Sequence, residues 1–343
     1  MKTLKVAILG YGNAGRAYGK LLSAKMPEII EKYGVEVKVT AIATKTKGTL
    51  VCETGIDLVK IEEQLVKCGK FADGIEKSAI DVAKTAEYDV LIELTPLEIF
   101  SGEPAISHIK AAFKRGKHAV TANKGPVAWA FRELKDMARE NNCLFFYETT
   151  VMDGAPVFNL VDHTLKMCKV TEIYGILNST TNFILGEMAL ETPYEDIIAE
   201  GKRRGFVEAD PSMDVLGWDA AAKVTALMNA LMDAGLTPLD INRTGIENIT
   251  PEMIKDAENR GKAIKLVCGG KIEKGKASGY VRPEELDQNS MLAGITGTTS
   301  VVSITTDLMG TVSMVAHDPE IEQTAYGIFG DTLRVLDSGP FLP

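Results

Sequence analysis

Asp219 and Lys223 stand four residues apart in the run VLGWDAAAKVTALMNALM, residues 215–232. Read as one helix, this run has no polar face. Its only polar side chains are Asp219, Lys223, Thr225 and Asn229, and a helix that is apolar all round is a buried helix. The i,i+4 spacing puts carboxylate and ammonium on one side, a turn apart. On a surface such a pair contributes a few tenths of a kcal/mol. In an interior, taking two charges out of water costs several kcal/mol per ion before they attract each other, so the expected location is a site that uses them. Lysine lowers its pKa readily on burial, which lets it give and take a proton near neutral pH. Just upstream lies Gly205-Phe206-Val207-Glu208-Ala209-Asp210-Pro211. Asp210 and Asp214 read as helix-start acids that complement the dipole of the following helix.

A second cluster lies at the N-terminus. A short apolar strand, residues 5–9, runs into Gly10-Tyr11-Gly12-Asn13-Ala14-Gly15, and a helix is expected over 14–25, closed by Pro27. GxGxxG between a first strand and a first helix is a dinucleotide fingerprint. Gly10 allows the tight turn, Gly12 lets backbone approach a pyrophosphate, and Gly15 lets helix and strand pack closely. The helix N-terminal amides, from Asn13 and Ala14 onward, then face the anion. The second strand, residues 35–43, ends in Thr44-Lys45-Thr46-Lys47-Gly48. It carries no acid where NAD sites place one for the ribose 2′-hydroxyl. Lys45 and Lys47 either reach a 2′-phosphate or form a solvated turn; NADP(H) is the expected cofactor, with NAD(H) the alternative.

Further strands are expected at 89–94, 118–121 and 144–147, with helices at 103–115 and 127–141 between them. This alternation implies a parallel sheet covered on both faces. The expected fold is therefore α/β, with a Rossmann-type doubly wound parallel sheet over residues 1–150. Beyond it the grammar changes. Helical patterns at 156–165 and 181–190 flank a strand-like run at 170–177. After the apolar helix come strand-like runs at 263–268, 277–281, 300–305 and 311–315, then a helix at 321–336. Closely spaced strands favour a mixed or antiparallel sheet packed on helices, an α+β substrate and dimerisation domain over 151–318. The last helix, about 319–338, is expected to return to the first domain.

With 343 residues, 45% hydrophobic and 25% charged, the composition is that of a globular protein. A net charge of −9 argues against nucleic acid and anionic membrane as partners. The five cysteines (Cys52, Cys68, Cys143, Cys168, Cys268) are scattered without a CxxC, which suggests reduced thiols and a cytoplasmic protein. The apolar start is too short for a signal peptide, and no run approaches a membrane span. His108, His118, His163 and His317 show no ligand spacing and read as core or surface residues.

Taken in order, the motifs resemble those of the homoserine dehydrogenases along nearly the whole chain. They are GYGNAG, Glu93-Leu94-Thr95-Pro96, Val120-Thr121-Ala122-Asn123-Lys124, Tyr147-Glu148-Thr149-Thr150-Val151 with Gly154 and Pro156, Ile176-Leu177-Asn178-Ser179-Thr180-Thr181-Asn182, GFVEADP, and the Asp219/Lys223 helix. The resemblance implies interconversion of L-aspartate 4-semialdehyde and L-homoserine, a step toward threonine and methionine. Reduction of an aldehyde needs a positioned acid, and the motif match makes Lys223 that donor and the base in reverse. It implies that Glu208 and Asp219 hold the amino acid, with Lys124 beside both nicotinamide and substrate. Thr95 and Pro96 would pack at the nicotinamide, and Gly205 would let backbone approach the cofactor. A monovalent-cation loop is implied at Glu148, Val151, Asp153 and Ala155, mostly through carbonyls. The family usually has a small residue where Asp153 stands, so Asp153 reads either as a ligand or as a solvated loop acid. The family also suggests a homodimer.

One departure is larger. The family usually carries a glycine-rich loop before the last helix, where it closes on the cofactor. Here the residues are Ala316-His317-Asp318-Pro319-Glu320. Two acids would repel phosphates and proline stiffens the turn, so a displaced or mobile segment is expected. A dehydrogenase of another small oxo- or hydroxy-acid, and a non-catalytic cofactor-binding paralogue, are the alternatives. The 343 residues match the catalytic unit, so feedback control through a fused kinase or regulatory domain is not expected.

Overall fold

The chain divides into two units, residues 1–156 with 320–343, and residues 157–319. The computed structural model describes residues 1–204, 207 and 210–338; Gly205, Phe206, Glu208 and Ala209 lie outside the described residues.

The first unit alternates strand and helix. Its elements are β1 (Lys2–Leu9), α1 (Asn13–Tyr33), β2 (Val35–Ala43), β3 (Thr49–Val51), α2 (Leu58–Cys68), α3 (Ala79–Thr85), β4 (Val90–Glu93), α4 (Ala105–Phe113), β5 (His118–Thr121), α5 (Lys124–Glu140) and β6 (Phe145–Phe146). Two 3-10 turns follow, Glu148–Thr150 and Met152–Gly154, and the C-terminal helix, Ile321–Asp337, belongs to the same unit. The sheet order is β3-β2-β1-β4-β5-β6. Every pairing is parallel except β2 with β3. β1 is buried on both faces. Leu4, Val6 and Ile8 face a core shared with α1 and the C-terminal helix, while Ala7 and Leu9 face the cluster built on α3 and α4. That two-sided burial explains why β1 and β4 read as continuous apolar runs.

The strand order reverses between β1 and β4, and the crevice past the C-terminal ends of such strands is where α/β sheets bind ligands. α1 runs to Tyr33 with Pro27 inside it, so the expected stop at Pro27 is corrected. Buried Ile29 extends the apolar face beyond the proline, and Gly34 in the left-handed region supplies the true stop. β3, α2 and α3 have no counterpart in the sequence reading. β3 and α3 are short and bury few residues, whereas α2 does carry apolar residues at helical spacing, Leu58, Ile61 and Leu65, between polar ones.

The second unit holds α6 (Val157–Thr164), β7 (Val170–Ile176), α7 (Ser179–Ala189), α8 (Tyr194–Arg204), α9 (Ser212–Val215), α10 (Trp218–Met232), β8 (Asn242–Arg243), α11 (Pro251–Asn259), β9 (Lys262–Glu273), β10 (Lys276–Asp287), β11 (Ser300–Thr306) and β12 (Gly310–Ala316). Its sheet order is β12-β11-β7-β9-β10-β8, antiparallel throughout except for β10 with β8. α10 lies against β9 and β10. Met228 of α10 fits there because a Cβ at Gly270 would collide with its sulfur and one at Gly279 would crowd it. The positions from Ala220 to Asn229, other than Lys223, are buried, as the absence of a polar face requires.

The run 215–232 is not one helix. α9 ends at Val215, Gly217 takes φ +76°, and α10 starts at Trp218. Glycine adopts this left-handed conformation without the penalty of a Cβ. The break puts Asp219 in the first turn of α10, where the helix dipole favours a carboxylate.

Candidate active site

In the first unit, Gly10 has φ +90°, and a Cβ there would fall on the Leu94 carbonyl. The glycine loop and the end of β4 are therefore in direct apposition. A Cβ at Gly12 would meet nothing within 4 Å, and Gly12 caps α1 without a side-chain bond. The uncapped amides of a helix N-terminus suit a pyrophosphate. These residues fit a dinucleotide.

At the end of β2, Thr44 closes a turn. Its amide and hydroxyl both donate to the Gly48 carbonyl, at 3.2 and 2.9 Å. Its Oγ1 also accepts from the Lys47 amide at 2.8 Å. Lys47 Nζ donates to the Tyr11 carbonyl at 2.8 Å, which holds its ammonium against the glycine loop. Lys45 is exposed.

At the end of β4, Glu93 is fully buried. Its Oε1 accepts from the Thr95 amide at 2.7 Å and also from the Thr95 hydroxyl, while Oε2 faces His108 Nδ1 at 2.6 Å. Asn123 donates through Nδ2 to the Thr95 carbonyl at 2.9 Å and the Pro96 carbonyl at 3.4 Å. Its Oδ1 accepts from the Gly125 amide and so caps α5. Lys124 is the first residue of that helix. Thr95, Pro96 and Lys124 thus meet around Asn123, at the strand ends where ligands bind. Sequence reading missed Glu93 and Asn123 as individuals although it quoted both motifs. His108, read there as core or surface, is a buried partner of Glu93.

The loop expected to hold a cation is built unusually. Met152, Asp153 and Gly154 all have positive φ, at 55°, 54° and 91°. The buried Glu148 donates its amide to Asp331 Oδ2 at 3.0 Å. Burial pushes the Asp331 carboxyl up to about 6, although Arg334 beside it pulls the other way. Thr324 Oγ1 lies 3.5 Å from Asp153 Oδ1. Thr149 Oγ1 is buried without a hydrogen-bond partner. An orphaned oxygen in an oxygen-rich loop fits a hard cation. Among the described residues no cluster of three or more His, Cys, Asp or Glu is arranged for a metal.

In the second unit, Lys223 Nζ lies 2.9 Å from Asp219 Oδ2, and the two side chains retain 16% and 18% exposure. This is no surface pair, yet enough surface remains for a substrate to reach it. Lys223 also donates to the Leu177 carbonyl at 2.8 Å. Asn178 was not singled out from the sequence, although its motif was. It donates through one amide nitrogen to Asp214 Oδ1 at 2.7 Å and Asp219 Oδ2 at 2.9 Å. Its Oδ1 accepts from the Thr181 amide and caps α7. Asp219 Oδ2 therefore receives both Asn178 and Lys223. Beneath them Cys268 is fully buried, and burial pushes its thiol up to about 12. Gly205 and Glu208, expected to complete the site, lie outside the described residues.

The two acids before the last helix are both engaged. Asp318 Oδ1 accepts from the Thr298 amide and hydroxyl at 3.2 Å each, and its own amide donates to Thr299 Oγ1. Glu320 forms a capping box with Gln323 at the start of the C-terminal helix. These bonds tie Asp318 to the turn before β11 and Glu320 to the start of the C-terminal helix.

No helix among the described residues is long and apolar enough to cross a membrane. Residues 10–148 match the family model for the homoserine dehydrogenase NAD-binding domain, and residues 156–333 match the model for homoserine dehydrogenase. A homoserine dehydrogenase from Methanocaldococcus jannaschii is 37% identical, covering 98% of this chain and 99% of its own. A protein from Pseudomonas canavaninivorans named NAD(+)-dependent homoserine dehydrogenase is 32% identical, covering 98% and 97%. The crystal structure of a putative homoserine dehydrogenase from Archaeoglobus fulgidus superposes with a TM-score of 0.85 at 34% identity, covering 97% and 99%. With both units matched and full-length relatives above 30% identity, the chain belongs to the homoserine dehydrogenase family of NAD(P)-dependent oxidoreductases.

Proposed function

We propose that Lys223 is the general acid and base of this homoserine dehydrogenase, with Asp219 orienting it. Reduced nicotinamide, when bound, supplies a hydride to the aldehyde carbon of aspartate 4-semialdehyde. As the carbon–hydrogen bond forms, the carbonyl oxygen gains negative charge, and the Lys223 ammonium gives it a proton to complete the hydroxyl. In the reverse direction the neutral amine takes that proton back. The observation that carries this reading is the half-buried Lys223–Asp219 contact at 2.9 Å, fixed on one side by the Leu177 carbonyl and on the other by Asn178. A lysine held at both its charge and its direction loses little entropy on meeting substrate. Asp219 and Glu208 are assigned to the substrate ammonium, and Lys124, at the N-terminus of α5, to substrate and nicotinamide together. The test is NADP-linked oxidation of L-homoserine by the purified protein and by Lys223→Ala, beside a panel of other 2- and 4-hydroxy acids. Preference for another acid would overturn the substrate; an active alanine variant would overturn the role.

NADP(H) is the assigned cofactor. Support comes from the absence of an acid at the end of β2 and from Lys47 held at the glycine loop. The P. canavaninivorans relative is named for NAD(+), so this chain's own turn at 44–48 has to supply the discrimination. A monovalent cation bound at Glu148, Val151, Asp153 and Ala155 is supported by the orphaned Thr149 hydroxyl. Exchange into a bulky organic cation should lower the melting temperature and sodium should restore it. A homodimer is supported by β12, which stands at the edge of the second sheet among the described residues, and sedimentation would test it. Unpaired cysteines suit a reducing, cytoplasmic setting.

A further inference from the structure

Each residue from Leu94 to Pro96, in the segment that follows β4, is fastened through its backbone. The Leu94 amide donates to the Leu9 carbonyl at 2.7 Å. The Thr95 amide and hydroxyl both donate to Glu93 Oε1. The Thr95 and Pro96 carbonyls accept from Asn123. Two of these fastenings depend on one carboxylate that no solvent reaches, and the second oxygen of that carboxylate is held by a histidine that is itself 2% exposed. A buried carboxylate of this kind is costly unless every oxygen is partnered. A simple turn could have been closed with backbone bonds alone.

The consequence is chemical. The Thr95 hydroxyl has spent its hydrogen on Glu93 and its amide is turned the same way, so neither can donate to a ligand. With no donor left to offer, Thr95-Pro96 is suited to contact with an aromatic ring, chiefly through the exposed Pro96 pyrrolidine.

The geometry points to Glu93, with His108 behind it, as the positioning pair that sets the Thr95-Pro96 surface against the nicotinamide ring. This rests on the nucleotide reading above. Neither residue touches the cofactor; both act through Thr95. Asn123 fastens the same surface from the other strand and caps the helix that begins with Lys124, so the nicotinamide platform and Lys124 share one support. The role is orientation of the reacting end of the nucleotide, and misplacement by about 1 Å at such a site can cost on the order of 10²-fold in rate.

The experiment separates the two ends of the nucleotide. Wild type, Glu93→Ala, Glu93→Gln, His108→Ala and His108→Asn are titrated with NADPH and with adenosine 2′,5′-bisphosphate, which has no nicotinamide, and kcat is measured for homoserine oxidation. Glu93→Ala and His108→Ala should lose about tenfold or more in kcat and weaken NADPH severalfold, with bisphosphate affinity unchanged within about twofold. Gln at 93, which keeps a carbonyl for Thr95, and Asn at 108, which keeps a donor for Glu93, should recover most of the loss. Where the alanine variants do not fold, Thr95→Val, which removes the hydroxyl bond to Glu93 at nearly constant shape, should show the same loss in kcat and NADPH affinity with bisphosphate affinity unchanged. Parallel loss of bisphosphate and NADPH binding, or kcat and NADPH affinity left at wild-type values, would overturn the positioning role. Wild-type protein that binds neither nucleotide would instead overturn the nucleotide reading itself.

Discussion

Asp219 Oδ2 and Lys223 Nζ lie 2.9 Å apart across a single turn of α10, and the same oxygen accepts from Asn178. One carboxylate oxygen thus orients a lysine and is itself oriented by a residue 41 positions away. Removing Lys223 as alanine should reduce turnover by about 10²-fold or more, the range for a general acid. Steady-state kinetics and a fluorescence titration check this together: kcat should collapse while the NADPH dissociation constant stays near wild type. A variant with half of wild-type kcat would make Lys223 structural.

The Thr44–Gly48 turn makes a separate forecast. Lys47 is bonded to the Tyr11 carbonyl, which holds its charge beside the glycine loop, and on the proposed NADP(H) reading it meets the 2′-phosphate. Lys47→Ala should weaken NADPH more than NADH. Thr44→Asp, which restores an acid for the ribose 2′-hydroxyl, should shift preference toward NAD(H). The ratio of kcat/KM for the two cofactors is the readout, and equal values in the wild type would remove the basis of the claim.

Two carboxylates near a phosphate repel it, so glycine at Asp318 and Glu320 is expected on electrostatic grounds to tighten nucleotide binding. Asp318 is bonded to Thr298 and Glu320 caps the C-terminal helix. Replacing Glu320 by alanine should therefore cost on the order of 1 kcal/mol of stability through the lost cap. Chemical denaturation of the single variants separates this loss from any gain in affinity measured by calorimetry. A Glu320 variant as stable as wild type would contradict the cap.

Lys265 on β9 is 5% exposed and donates to Asn182 Oδ1 at 3.1 Å and the Ile295 carbonyl. Burial brings its ammonium down to about 8. Between pH 8 and the ordinary lysine range the unfolded chain binds more protons than the folded one, so stability rises with pH across that window. Below pH 8 the full cost of burying the charge is present. Urea unfolding at stepped pH should show wild type gaining relative to Lys265→Met from pH 8 upward. Parallel curves would mean the ammonium is not desolvated in solution.

Local chemistry was enough to read a good part of this molecule. A GxGxxG between an apolar strand and a helix dictates a tight turn and an open helix N-terminus, because Gly10 takes a positive φ where a Cβ would strike the Leu94 carbonyl and Gly12 leaves the helix start free of a side chain. An apolar helix with one Asp and one Lys a turn apart dictates a buried ion pair. Both follow from interactions within a few residues. Other features were set by chain closure. The break at Gly217 puts Asp219 at a helix start, and it depends on α10 docking against the second sheet. Asn178 reaches Asp214 and Asp219 over 36 and 41 residues, Glu93 meets His108 over 15, and Asp331 takes the Glu148 amide over 183. No local period encodes such bonds. They form because a buried polar group must find its partner wherever the packed fold brings one within about 3 Å, and only the tertiary structure decides which that is.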